Sequence, residues 1–251
     1  MFKNIFSCLV EAVLLFKQPR HSINFLAVVM LSLVTAGCAS VDPQVVQAQT
    51  RGKSIAVASS VGSDLQLRIT GITIFETQKG TVAVPAWELA DLVVKTANSE
   101  MQATQRYSSV TTYTNISRVD GSLPSIPPGF QADYLLLIES RDCGDPMFGT
   151  KESSQGIGIA QTSVLGLKRA KAHIFIRAEL FDLSVGKSVG ERNRCEHWDI
   201  NTELKSGGSF KFTGAYRVPI IDERDLTGLQ EPITTRLEKA VRDLLGEMGL
   251  R

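Results

Sequence analysis

The chain has almost no surplus charge: 27 Lys and Arg stand against 26 Asp and Glu. No basic block is present, so the positive stripe that nucleic-acid binding needs is missing, and nucleic acid is excluded as a partner. Histidine and cysteine are scarce, at 3 and 4 among 251 residues, and no two cysteines form a C-x-x-C. Zinc needs three or four such ligands at suitable spacing. The Cys195-x-His197 pair does not supply them, so no metal site is predicted and His197 is read as structural. Nucleophile motifs of the G-x-S-x-G type and the H-E-x-x-H metalloprotease motif are also absent. The carboxylates Glu139, Asp142 and Asp145 cluster near a loop, an ordinary feature of solvated turns.

Two stretches approach a phosphate-binding loop and fail. Gly156 and Gly158 begin a G-x-G-x-x-G run, but no glycine stands at the third place. Gly186-Lys187-Ser188 could end a P-loop, but Phe181 occupies the position of its first glycine. No catalytic residue and no cofactor are predicted from these patterns.

The chain's one pronounced hydrophobic feature lies near its start. Lys3, Lys17, Arg20 and His21 precede the apolar run Ile23 to Val34, which is followed by Thr35, Ala36, Gly37 and Cys38. A charged region, an apolar helix and small residues, in that order, form an export signal. The run is about 12 residues, short of the ~20 that a spanning helix needs. The sequence Thr35-Ala36-Gly37-Cys38 resembles the lipobox of bacterial lipoproteins. That resemblance implies removal of residues 1–37, attachment of a diacylglycerol to the Cys38 thiol and anchoring to a membrane. Ala39, standing where Asp would retain the protein at the inner membrane, implies the outer membrane and a periplasm-facing domain. Cleavage takes away Lys3, Lys17, Arg20 and Glu11, which leaves 24 basic and 25 acidic residues and a formal charge of −1.

With Cys8 in the signal and Cys38 acylated, two thiols remain in an oxidising compartment, Cys143 and Cys195. Such a pair is expected to be bonded, the alternative being two separate buried thiols. The bond would commit the exit of the strand Ala132 to Ser140 and the returning arm of a hairpin to neighbouring positions in the sheet or at its edge.

Residues 38–52 are polar and carry no strong period, and are expected to form a tether. Residues 53–251 are expected to form one domain. Ser54 to Ser60 reads as a buried first strand. Leu65 to Phe75 alternates across Gly71, as one bent strand or two joined there. Leu89, Leu92, Val93, Thr96 and Ala97 share a helical face, with Pro85 in the first turn. Trp87 is expected at the rim of the core. Tyr107 to Ile116 favours a strand, and Ala132 to Ser140 a central one covered on both faces. The glycine-punctuated Gly149 to Lys168 segment predicts a flexible hairpin or flap. Ala172, Ile174, Ile176, Ala178 and Leu180 alternate with Lys171, His173, Phe175, Arg177 and Glu179, as in a half-covered antiparallel strand, with His173 a surface or sheet-face residue. It turns at Gly186 into a partner strand. A last helix is expected from Pro232, with Ile233, Leu237, Val241, Leu244 and Met248 buried.

This order predicts an α+β fold: a single mixed, largely antiparallel sheet with two main helices packed on it. The segments Ser54 to Ser60, Ala132 to Ser140 and the hairpin beginning at Ala170 resemble those of periplasmic lipoproteins related to CsgG and to the amino-terminal domain of TolB. A lipid anchor, a spacer and a compact domain without a catalytic motif need only surface complementarity, so the chain is expected to be a non-catalytic interaction or assembly module of the cell envelope with a protein partner or self-oligomer. The alternatives are a CsgG-like subunit of an oligomeric secretion complex and a periplasmic hydrolase whose site is assembled only in space.

Overall fold

The computed structural model describes residues 42–70, 77–114, 116, 124–125, 129–143, 154–164, 167–200, 211–213 and 218–251. Its centre is an eight-stranded mixed sheet. β1 (Ser54–Ser59) lies parallel to both β4 (Ser109–Thr114) and β5 (Tyr134–Ser140). β2 (Asp64–Thr70) lies antiparallel to β3 (Gln78–Ala83) and parallel to β8 (Ile157–Val164). Two short ladders accompany this sheet: β6 (Asp142–Cys143) with β7 (Ser154–Gln155), and β11 (Lys211–Thr213) with β12 (Val218–Ile220). The second ladder has no counterpart in the sequence reading.

The long β9 (Leu167–Asp182) joins the two halves. One of its edges pairs with β8 through Ile174 and then with β5 from Ile176, both antiparallel. The other edge carries β10 (Lys187–Asp199), also antiparallel. The α+β expectation holds, and the parallel pairs at β1 and β2 make the sheet mixed.

Helix α2 (Leu89–Ala103) and helix α3 (Glu223–Glu247) cover one face. Val93, Ala97 and Met101 of α2 and Ile233, Leu237, Val241 and Leu244 of α3 are fully buried with Ile55, Val57, Leu136, Ile174 and Ile176. Burial of each large side chain among these contributes about 1.5–3 kcal/mol. Arg242 Nε donates to Glu100 Oε1 at 3.0 Å and ties the two helices together. Cation–π contact of Arg236 with Trp198, at 4.5 Å from the ring centroid, seats α3 on β10.

Several expectations are corrected. Pro85 does not open α2. It begins a separate 3-10 turn, Pro85–Trp87, and Glu88, at φ 47°, redirects the chain into the helix. Trp87 is buried rather than at the rim. Pro232 lies inside α3, which begins nine residues earlier behind the N-cap Asp222, whose carboxylate accepts from Arg224 N–H at 3.0 Å. Glu223 and Asp225 in the first turn favour the positive end of the helix dipole, which offsets the amide hydrogen lost at the proline. The second strand of the hairpin after β2 is Gln78–Ala83; the expected continuation through Phe75 lies outside the described residues.

Of the expected flexible hairpin or flap, the hairpin is found, β8 returning antiparallel into β9 as far as Val164 opposite Leu167, and the flap is overturned in its second half. Residues 149–153 lie outside the described residues, but Ile157–Val164 is an interior strand hydrogen-bonded on both sides, with Ile157 and Ile159 buried. The glycines that suggested mobility answer to crowding: a Cβ on Gly158 would collide with the Gln66 carbonyl and come within 2.8 Å of His173 Cε1.

The span 38–52, expected as a tether, is helical over most of its described part. Pro43–Thr50 forms helix α1, capped by Asp42, whose carboxylate accepts from Gln44 N–H at 2.9 Å. Val46 and Thr50 are buried, so the helix docks on the domain. The hydrophobic period was invisible because a single apolar side chain, Val46, makes the core contact while Val45 stays exposed.

Candidate functional site

With helices over one face of the sheet, the chemistry lies on the other. The near end of this open face, around the start of β5, is covered by a small second core of Ala56, Ala58, Ile116, Leu135, Leu137 and Phe181. Farther along, the face becomes polar. Arg177 on β9 is held between Glu139 of β5 and Glu191 of β10, donating through Nε to Glu139 at 2.8 Å and through Nη1 to Glu191 at 3.3 Å. Burial opposes the Arg177 charge, but the surrounding Glu139, Glu179 and Glu191 carboxylates outweigh it and raise its pKa.

Beyond this ion-pair row, β9 changes partner. Arg141 N–H donates to the Phe175 carbonyl at 3.0 Å, Phe175 N–H to the Gly156 carbonyl at 2.9 Å, and Gly156 N–H to the Arg141 carbonyl at 3.0 Å. Three segments therefore meet at Phe175, where β5 ends and β8 begins. Gly156 is required there: its φ is +63°, and a Cβ would come within 2.9 Å of Ser140 Oγ.

The disulfide lies over this seam. Cys143 and Cys195 are bonded, with Cα atoms 6.2 Å apart and a separation of 52 residues in sequence. The geometry differs from the expected neighbouring strands, because Cys195 stands opposite Phe175 on β9 and Cys143 follows the strand on the other side of β9. Two strand spacings would separate coplanar cysteines by about 9.6 Å. At 6.2 Å, the Cys143 segment must rise out of the sheet plane and cross above β9. Cys143 is buried by this crossing and Cys195 remains exposed.

Beside the bond is a depression of about 380 Å³ lined by Arg141, Asp142, Cys143, Phe175, Asn193, Cys195 and His197. Arg141 Nε donates to the Asp142 carbonyl at 3.3 Å, while its Nη1 is buried and has no hydrogen-bond partner among the described residues. A neighbouring hollow of about 150 Å³ is lined by Gln66, Arg68, Lys79, Asp142, Gln155 and His173, among others. His173 stands directly across from His197 in the β9–β10 register. It is 1% exposed, not a surface residue, and its ring lies 4.7 Å from that of Phe175.

Of the residues singled out in the sequence, Cys143, Cys195 and His197 come together, and Asp142 joins them at the rim shared by both hollows. Glu139 belongs instead to the Arg177 ion pair, and Asp145 and Cys38 lie outside the described residues. Arg141, Phe175 and Asn193 were not anticipated as lining residues. Only the position of Arg141 between Ser140 and Cys143 hinted at its place in the site. Among the described residues, no three His, Cys, Asp or Glu side chains are grouped closely enough to hold a metal ion, and no helix is long and apolar enough to cross a membrane.

No protein-family model matches the chain, and no curated protein matches it. Among solved structures, the Xanthomonas campestris protein XCC0632, described as DUF330, is 14% identical, with coverage of 78% of this chain and 85% of that one at a TM-score of 0.38. A protein described as a homolog of neuraminyllactose-binding hemagglutinin from Helicobacter pylori is 9% identical, covering 79% and 84%, also at 0.38. A PelC dodecamer from Paraburkholderia phytofirmans is 11% identical, covering 80% and 90%, at 0.32. At these TM-scores the likenesses assign neither family nor function.

Proposed function

We propose that the chain is a lipid-anchored, non-catalytic interaction or assembly module of the bacterial envelope, whose partner engages the disulfide end of the open sheet face. The observation that carries this reading is the depression around Phe175. An apolar ring forms its floor, while Arg141, Asn193 and His197 offer donors around it. The bond between Cys143 and Cys195 fixes the rim. A concave site with a few convergent polar groups suits recognition of a short segment, and the guanidinium of Arg141 in its lining favours a segment bearing a carboxylate. Asp142 at the rim would discriminate against more highly charged anions. The lipid anchor is supported by the Thr35-Ala36-Gly37-Cys38 sequence behind its apolar run.

Both halves of the reading can be tested in intact bacterial cells. A photocrosslinking residue at exposed Asn193 should give a discrete protein adduct that weakens at least severalfold with Arg141→Gln, while the same group at exposed Thr227 on α3 should give none. Labelled fatty acid should enter the wild-type chain and not Cys38→Ser. An adduct indifferent to Arg141, or hydrolytic turnover by purified protein that Arg141→Gln abolishes, would replace the module by another reading.

A further inference from the structure

The docking of α1 sets how far the domain can stand from the membrane. Val46 and Thr50 bury the helix, Thr50 Oγ1 donates to the Val46 carbonyl at 2.8 Å, and the Tyr134 hydroxyl reaches the Gln49 carbonyl at 3.5 Å. At its other end the Pro43 carbonyl lies against Gly249, whose φ of +74° and missing Cβ permit the approach. The fold thus starts at Asp42, and three residues separate it from Cys38. Four Cα steps span at most about 14 Å even when fully extended, whereas a tether running through Gly52 would have reached about 50 Å.

The leash departs from the end of the domain that also holds Lys53, because Pro43 lies against Gly249, the Leu250 carbonyl accepts from the Tyr107 hydroxyl at 2.6 Å, and the neighbouring Ser108 N–H donates to the Lys53 carbonyl at 3.0 Å. α1 leads through Thr50 to Lys53, whose ammonium lies 3.9 Å from Asp133 at the start of β5. The Asp133 carbonyl accepts from Leu183 N–H at 2.9 Å, so the β9–β10 turn is at the same end. Two of the exposed large hydrophobic side chains are found here, Val45 at 49% on α1 and Val185 at 62% in the turn. Exposed Arg51, Lys53 and Lys187 are accompanied by Asp42, Asp133 and Asp182, so the charge is mixed. The disulfide depression is at the opposite end of β5, about 23 Å away along the length of that strand.

We infer that this pole, with Val45 and Val185 foremost, rests on the lipid headgroups of the bilayer, and that the leash from Cys38 rather than charge attraction holds it there. The inference rests on acylation of Cys38. It adds an orientation: the β9–β10 hairpin rises away from the membrane and presents the disulfide depression to the periplasm.

The test uses the acylated full chain, purified from membranes and reconstituted in vesicles of phosphatidylethanolamine and phosphatidylglycerol containing a headgroup-attached nitroxide. Single fluorophores are placed through Val185→Cys or Asp199→Cys, the latter roughly 36 Å farther along the hairpin, with the native disulfide left oxidised. Mass spectrometry of the amino-terminal peptide reports acylation separately. Quenching at least threefold stronger at 185 than at 199, reduced at least twofold when a flexible Gly and Ser spacer of about twelve residues is inserted between Ser40 and Val41, is the expected result. Equal quenching at the two sites on acylated protein, or a pattern that the insertion leaves unchanged, overturns the orientation while leaving the anchor intact. An amino terminus without acyl groups overturns both.

Discussion

Replacing both Cys143 and Cys195 by Ser tests the seam of the sheet directly. The bond closes a loop across 52 residues of sequence. In the chain-entropy treatment, a loop of that length removes about 14 cal/mol/K from the unfolded ensemble, or about 4 kcal/mol at 25 °C. Cys143→Ser also leaves a hydroxyl in a buried position, which adds to the loss, whereas relaxation of the crossing segment would reduce it. An overall cost of about 2–4 kcal/mol follows. With a urea slope of about 2 kcal/mol/M, the unfolding midpoint should fall by about 1–2 M. The structure also says where the loss begins. Hydrogen exchange should accelerate at Arg141, Gly156 and Phe175, whose mutual backbone bonds lie beneath the disulfide, before it does in β1, which is enclosed by β4 and β5. The native protein should resist alkylation at both cysteines until it is reduced. A midpoint shift below about 0.3 M, or exchange that accelerates uniformly, would refute the view that the bond clamps a local seam where β9 changes partner.

Three further outcomes follow from the packing and the charges. Gly158→Ala should cost about 1–3 kcal/mol, measured by urea titration, because its Cβ meets the Gln66 carbonyl inside the sheet; neutrality would mean that β2 and β8 are not so closely paired. Gly249→Ala forces a side chain into positive φ and against Pro43. It should cost about 1–3 kcal/mol and make Gln49 and Thr50 susceptible to proteolysis, whereas an unchanged cleavage pattern would argue that α1 docks without this contact. Asp133 is held below the usual carboxylate range by the Ser54 N–H and hydroxyl, and Asp182 by the Ser184 hydroxyl. Their folded pKa values lie below the unfolded ones, so the stability they add is present above about pH 4 and is lost as pH falls through the folded values. Asp133→Asn should flatten the fall of the urea midpoint between about pH 4.5 and 2.5, and an unaltered slope would remove Asp133 from the acid response.

Local pattern by itself determined the elements in which one periodicity dominates. The alternation around Ala172 to Leu180 specified β9 but not its coverage, since His173, Phe175 and Glu179 on the face expected to be open are buried as well, whereas the spacing of Ile233, Leu237, Val241 and Leu244 specified the buried stripe of α3. The apolar run in Tyr134–Ser140 specified a strand covered on both sides, because only a fully buried position tolerates it. The count of thiols, once Cys8 and Cys38 were assigned to an expected export signal and lipobox, was enough to pair Cys143 with Cys195. What local pattern could not decide depended on neighbours distant in sequence. Gly158 reads as flexible until Gln66 and His173 are brought against it. The start of α3 is hidden by Gly228 and Pro232, and is set by the Asp222 cap together with Leu229 packing into the core. The crossing of Cys143 above β9, and hence the depression at Phe175, required knowing that β5 and β10 lie on opposite edges of one strand. Helix α1 is the clearest instance. Eight residues without an apolar period have little reason to be helical alone, since nucleation costs more than so short a segment returns. The turn at Gly249 and the burial of Val46 in the core make the helix stable, and with it the start of the described fold at Asp42.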